Sequence, residues 1–352
     1  MKIAIATVQV PFYTGGAELH AQMLKDELRI RGHQAEIVTI PFKWYPTTTL
    51  LDCMVMGRMM DLTEVNGETI DCVIAMKFPA YYCKHPNKVL WLLHQHRQAY
   101  DLWDTEYGDI HKLPDGEYIR EMIRTHDIKY IDEAKKVYTN AQNTSNRLKH
   151  YNGINSEALY HPPLNSEKMH CNEYGDFFFY ASRIGQMKRQ RLFVEAAKYV
   201  KTDVKFIIAG SGEPEEVKYL EKQIIEYKLE NKVKLTGFIS EDEKINYYAN
   251  CLGVYFGAYD EDYGYITLES FFSKKPVIVH TDSGGPLEFV VNEENGFICE
   301  PDAKTIAEKM DLLYTNKKMA QNMGEAGYKS LEEKNMNWDY IINKLLGSID
   351  RS

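Results

Sequence analysis

Short apolar runs alternate with longer amphipathic stretches along nearly the whole chain. Runs at 3–6, 35–40, 72–76, 89–93 and 137–139, then 177–180, 205–209, 233–235, 253–256 and 277–279, are continuous enough to predict buried strands. Between them, 17–31, 117–134, 188–200, 215–227 and 305–314 repeat apolar positions at the helical period, as does 338–346 near the end. Strand and helix in alternation predict α/β architecture with parallel sheets and crossover helices. The pattern breaks at His161-Pro162-Pro163-Leu164-Asn165-Ser166, a turn-forming segment that predicts a linker.

Length and charge refine this picture. At 352 residues the chain is about twice a typical domain of roughly 100–200, so two doubly wound domains are expected: 1–166, 167–334, and a closing segment 335–352. The balance of 42 basic and 51 acidic residues gives −9, against a nucleic-acid binder working through a broad basic surface. No apolar run approaches the roughly 18 residues that cross a bilayer, and the N-terminus reads as a first strand rather than a leader, so a cytoplasmic location is expected. The mixed charges of 117–136 make no clean basic anchor, and peripheral contact with the inner membrane face stays open. Six scattered cysteines without a Cys-x-x-Cys pair read as core thiols, and no metal site is expected. The methionines at 54, 56, 59 and 60 read as core filler or the lining of an acceptor groove.

In open parallel sheets ligands sit beyond the carboxyl ends of strands, so motifs there carry the chemistry. Thr14-Gly15-Gly16-Ala17-Glu18 follows the first strand, and a helix N-terminus behind two glycines suits a phosphate as well as a plain turn. His94-Gln95-His96-Arg97 closes another strand; His94 reads as a substrate contact and His96 as structural, with no third ligand for a metal. Arg183 and Lys188 bracket a glycine turn, a fork and a point charge suited to a diphosphate; such a pair alone is more often a solvated surface, but its place at a predicted strand end raises its value. Gly210-Ser211-Gly212 has Glu215 where a dinucleotide fingerprint needs its third glycine, and reads as a turn capped by Ser211. Glu261 to Glu269 places two carboxylates around Gly264; if a helix starts there, Glu261 stays on the loop and Glu269 lies more than a turn down the helix.

With these motifs in order, the chain resembles the retaining glycosyltransferases of the GT-B fold, in particular family four. The stretch from Phe177 to Pro301 carries most of the likeness: Phe-Phe-Phe-Tyr-Ala-Ser-Arg with a lysine five residues on, Ile-Ile-Ala-Gly-Ser-Gly-Glu, the two-glutamate motif, Ser-Gly-Gly-Pro-Leu-Glu and Asn-Gly-Phe-Ile-Cys-Glu-Pro. The resemblance implies two Rossmann-like domains facing across a cleft, an acceptor-binding first and a donor-binding second. It implies transfer of a sugar, without a metal or resident cofactor, from a nucleotide-diphosphate donor to a glycan, lipid-linked or small-molecule hydroxyl; the donor base stays open, with UDP favoured over GDP. Arg183 and Lys188 would hold the diphosphate with the backbone at Gly15 and Gly16. Glu269 would take the ribose, Ile239 the base edge, and Glu261 with Gly264 and the amides of Tyr265, Ile266 and Thr267 the sugar, beside His94. Gly284, Gly285 and Glu288 match a later glycine-rich turn. Ser182, Tyr263 and Thr267 depart from the family pattern without removing a charge, while 41–61 and 100–114 match nothing and leave the acceptor open. The same architecture also admits a sugar-nucleotide epimerase or a phosphorylase, and a two-lobed sugar-binding protein is the non-enzymatic rival.

Overall fold

A computed structural model describes residues 1–349; the last three positions of the expected segment 335–352 lie outside the described residues. The chain forms two compact units, one running from Met1 to Leu164 and resuming at Met336, the other spanning Asn165–Asn335.

In the first unit, β1 (Lys2–Gln9), α1 (Gly16–Ile30), β2 (Gln34–Pro41) and α2 (Thr48–Met59) are followed by a small antiparallel hairpin, β3 (Glu64–Val65) and β4 (Glu68–Thr69). Then come β5 (Cys72–Ala75), β6 (Lys88–Leu92), α3 (Gly116–Ile131), β7 (Lys136–Thr139), α4 (Gln142–Asn152) and β8 (Glu157–Ala158). The main sheet has the order β2-β1-β5-β6-β7-β8, all parallel. In β1, consecutive Ile3, Ala4, Ile5 and Ala6 are all buried, so the strand is apolar on both faces and covered on both. The β6 start is less usual: Lys88 is buried, and its ammonium is satisfied by the carbonyls of Tyr81, Cys83 and Tyr130 and by Glu133.

The second unit is built from β9 (Phe177–Ala181), α5 (Gln190–Ala196), β10 (Lys205–Ala209), α6 (Pro214–Glu226), β11 (Val233–Gly237) and α7 (Glu241–Asn250). It continues through β12 (Gly253–Phe256), α8 (Tyr265–Phe272), β13 (Val277–His280), β14 (Gly296–Cys299), α9 (Ala303–Thr315) and α10 (Lys317–Glu332). Its parallel order β11-β10-β9-β12-β13-β14 is the doubly wound 3-2-1-4-5-6 arrangement. The α/β class expected from the alternation is the observed one in both units. α11 (Trp338–Leu346) belongs to the first unit: Ile341, Ile342 and Leu345 are buried with Ile3, Ile5 and Leu24, and Lys344 pairs with Glu157 at 2.7 Å.

Three expectations are corrected. The helix expected from Lys188 to Val200 runs only from Gln190 to Ala196, because Arg189 takes a left-handed conformation (φ +54°) that breaks the helix before it; Lys188 sits in a single 3-10 turn. Ser211 caps nothing, since α6 starts one residue after Glu213 with Pro214 in its first position. Cys171 is half-exposed while the other five cysteines are buried. The methionines divide: Met54 is buried beneath α2, and Met56 and Met59 face outward. No helix among the described residues is long and apolar enough to cross a membrane.

Candidate functional site

The second unit gathers its expected residues at one place. Strand order reverses between β9 and β12, and the loops leaving those two neighbouring strands carry Arg183 and Lys188 on one side and Glu261 on the other. A reversal point leaves the carboxyl ends of the two strands splayed, with their following loops departing in opposite directions around a crevice.

There the Lys188 ammonium forms an ion pair with the Glu261 carboxylate, both about three-quarters buried, and lies 5.9 Å from the Phe256 ring centre. Backbone bonds fix the pair from behind: Tyr259 N–H donates to Met187 at 2.8 Å, and Glu261 N–H to Ser283 at 2.8 Å. The Tyr180 hydroxyl, buried at the strand end, donates to the Lys188 carbonyl. Arg183 is exposed one turn earlier on the same loop, where the buried Gln190 amide donates to its carbonyl at 3.0 Å.

Gly264 precedes α8 in the left-handed region (φ +88°), and a Cβ there would lie 2.7 Å from Pro286. The glycine therefore turns the chain from the Glu261 loop into the helix and lets the 284–288 turn pack against it. Beyond it the Thr267 hydroxyl is buried without a hydrogen-bond partner, the cost of a polar residue in an apolar first turn. Glu269 is buried and already held: Lys244 donates to one oxygen at 2.8 Å and the Tyr248 hydroxyl to the other at 2.7 Å. Burial would lower the Lys244 pKa, but the charges and hydrogen bonds of Glu269 and then Glu241 outweigh it and raise it, while burial foremost, then the Glu269 carboxylate, pushes the Tyr248 hydroxyl up. Neither partner was foreseen, because α7 has too few apolar positions to announce a helix. Ile239 is half-buried just past the β11 end, and Gly284, Gly285 and Glu288 line the turn after β13.

Gly210 explains the fingerprint-like glycines. It sits at φ +138°, and a Cβ would come 2.0 Å from the Ser182 carbonyl oxygen, so the loops after β9 and β10 touch backbone to backbone. Gly210→Ala should therefore cost roughly 2–4 kcal/mol and visibly lower the melting temperature. An alanine variant melting with the parent would show that the loops part without cost.

Gly15, Gly16 and His94 lie in the first unit, at the carboxyl ends of β1 and β6. Gly15 donates its N–H to Glu18 at 2.8 Å, closing the N-terminus of α1 with a carboxylate. His94 Nδ1 lies 2.5 Å from the Gln95 carbonyl, which can only accept, so Nδ1 carries the proton and donates it to that hydrogen bond. Behind it runs a line of hydrogen bonds invisible in the sequence: Gln95 donates to Asn152 at 2.8 Å, Asn152 to the Tyr100 hydroxyl at 3.1 Å, and Tyr100 to buried Asp127 at 2.7 Å. Asp127 accepts from Tyr81 and Tyr82 as well, yet burial outweighs the three hydroxyls and pushes its carboxyl up to about 6. His96, packed between Phe42 and Phe78, is driven down to about 3 mainly by burial and serves the core.

Residues 164–330 match the family model described as glycosyl transferases group 1. A mouse alpha-1,3/1,6-mannosyltransferase, ALG2, is 34% identical over 120 residues, covering 34% of this chain and 29% of that protein. The chain thus spans under a third of that curated relative in the matching region. Among solved structures, sucrose-phosphate synthase from Thermosynechococcus elongatus superposes with a TM-score of 0.78 at 15% identity, over 98% of this chain and 97% of that one. The Anabaena protein HepE, in complex with UDP and glucose, superposes with a TM-score of 0.70 at 15% identity, over 99% and 100%. By the architecture of its units the chain has the GT-B fold, and its residues 164–330 match the family model of the glycosyl transferases of group 1.

Proposed function

We propose that the protein is a retaining glycosyltransferase that moves a sugar from a nucleotide-diphosphate donor to a hydroxyl acceptor, without a metal. The observation that carries this reading is the Lys188–Glu261 ion pair at the strand-order reversal of the second unit, with Arg183 on the same loop.

Breaking the bond between the anomeric carbon and the phosphate oxygen sends its electron pair to the diphosphate, so charge builds on the leaving group. Preorganised cations there lower the barrier. An ammonium has three N–H donors; with one given to Glu261, Lys188 keeps two for phosphate oxygens, and Arg183 adds a planar fork. Glu261 would turn its second oxygen to a sugar hydroxyl, beside the first amides of α8. Glu269 has lone pairs left after Lys244 and Tyr248 to accept both ribose hydroxyls. The acceptor oxygen attacks the carbon from the side the phosphate leaves, and its proton passes to that phosphate, which keeps the anomeric configuration. His94, Gly15 and Gly16 would bind substrate at the carboxyl edge of their own sheet. The UDP in the HepE complex supports a uridine donor; a glycan, lipid-linked or small-molecule alcohol is the acceptor class.

Melting the protein with a panel of uridine and guanosine diphosphate sugars tests the donor, since a ligand that binds only the native state raises stability with its concentration over its dissociation constant. Uridine sugars should protect and guanosine sugars should not; protection by neither would remove the donor site. Incubation with the protecting sugar nucleotide alone then separates the rivals: an epimerase makes a new sugar nucleotide without an acceptor.

A further inference from the structure

We infer that Arg189 is a positioning residue of the diphosphate site, gripping Asp282 and Tyr259 so that the loops behind β13 and β12 hold Lys188 and Glu261 in register. This role rests on Lys188 meeting the donor diphosphate, as proposed above.

Arg189 occupies a backbone conformation that an arginine rarely adopts, φ +54° and ψ +36°, between the 3-10 turn of Lys188 and the start of α5. A side chain other than glycine persists there only when its surroundings over-determine it. Two contacts do so. The guanidinium makes a two-pronged pair with Asp282, 2.8 and 2.7 Å, and it lies 5.1 Å from the Tyr259 ring centre. The pair is mostly screened from water, with side-chain exposures of 17% and 34%. One gripped residue lies on the loop that carries Glu261, and the other on the loop after β13 that is bonded to it. Tyr259 is two residues before Glu261, and the Asp282 carbonyl accepts from Asp260 N–H at 2.8 Å. The neighbouring Ser283 carbonyl accepts from Glu261 N–H, and the Glu261 carbonyl accepts from Gly285 N–H at 2.7 Å. One side chain thus ties three loop ends into a unit, and turning the left-handed residue outward would detach Lys188 from the carboxylate it faces. A planar fork fixes angle as well as distance, which a lysine in its place would not.

Glycine separates the two things Arg189 does, because it suits the backbone and deletes the grip. Arg189→Gly, Asp282→Asn and the double variant are titrated calorimetrically with UDP, UMP, GDP and GMP, alongside Lys188→Ala. The expected result is melting close to the parent, roughly tenfold weaker binding of the diphosphate in each single variant, and less than about threefold change for the monophosphate. The double variant should be no weaker than either single one, the mark of a shared interaction. Parent-like diphosphate binding by Arg189→Gly, or equal losses on mono- and diphosphate, overturns the grip. Where Lys188→Ala loses diphosphate affinity and Arg189→Gly does not, the grip alone fails. Unchanged binding by Lys188→Ala removes the donor-site reading and the grip with it. Should the glycine variant not fold, Asp282→Asn carries the same comparison.

Discussion

Replacing Lys188 by alanine is expected to lower turnover roughly 10²-fold or more while leaving the protein folded. Two effects add. The ammonium that would meet the charge growing on the leaving phosphate is gone, and the Glu261 carboxylate it neutralised is left facing that phosphate. The lysine is not needed for the fold in the same degree, since Tyr180 and the Gly185 turn hold its backbone rather than its side chain. Initial rates with saturating donor, together with a melting curve, measure both. A Lys188→Ala, Glu261→Gln double variant divides the two effects: recovery of most of the rate would mean that the lysine serves only to neutralise the glutamate. A folded single variant with near-normal turnover would end the proposed mechanism.

Replacing His20 by leucine should make the first unit markedly more resistant to acid. His20, on α1, is fully buried, its ring nitrogens have no hydrogen-bond partner, and it stacks on His161 at 3.8 Å against the edge of Trp91. Burial lowers its pKa from 6.5 to about 3, and His161, also buried, is lowered too, with His20 adding to the effect. Between those values the unfolded chain takes up a proton that the folded one refuses, so the stabilisation from a neutral His20 is complete above about pH 6.5 and is lost as pH falls toward 3. At 1.36 kcal/mol per unit, the part due to His20 reaches about 3 kcal/mol by pH 4. Asp127 works the other way: its raised pKa favours the folded state below about pH 6 and gives that stability up as pH rises through the interval from 3.8. The difference between variant and parent isolates His20. Melting temperatures followed from pH 7 to 4 should diverge, the leucine variant falling less; parallel curves would mean that His20 is protonated in the fold or never differs from the unfolded chain.

Much of this site could be read in the sequence, and the reasons are local. Buried parallel strands need continuous apolar runs, so Phe177–Ala181 and Gly253–Phe256 announced themselves, and the charged residues just past their ends marked the loops. Three of the helices that went unread lack a clear apolar stripe, and in the fourth the stripe is built partly from glycine. α2 has no period among its leucines and methionines, α4 and α7 are mostly polar, and α10 carries Gly324 and Gly327, small because the Lys274 carbonyl and the Phe271 ring lie where their Cβ atoms would be.

What the order of residues determined by itself is the set of elements, the loops that hold Arg183, Lys188 and Glu261, and the helix start ahead of Glu269, because hydrophobic period and glycine turns act over a few neighbouring positions. Which of those loops meet was decided only by the strand order: β9 and β12 are adjacent although about seventy residues separate Lys188 from Glu261. The grip of Arg189 on Asp282, the hold of Lys244 and Tyr248 on Glu269, and the line from Asp127 to Gln95 are likewise products of packing. Hydrogen bonds and ion pairs between distant segments follow from geometry that no local pattern encodes.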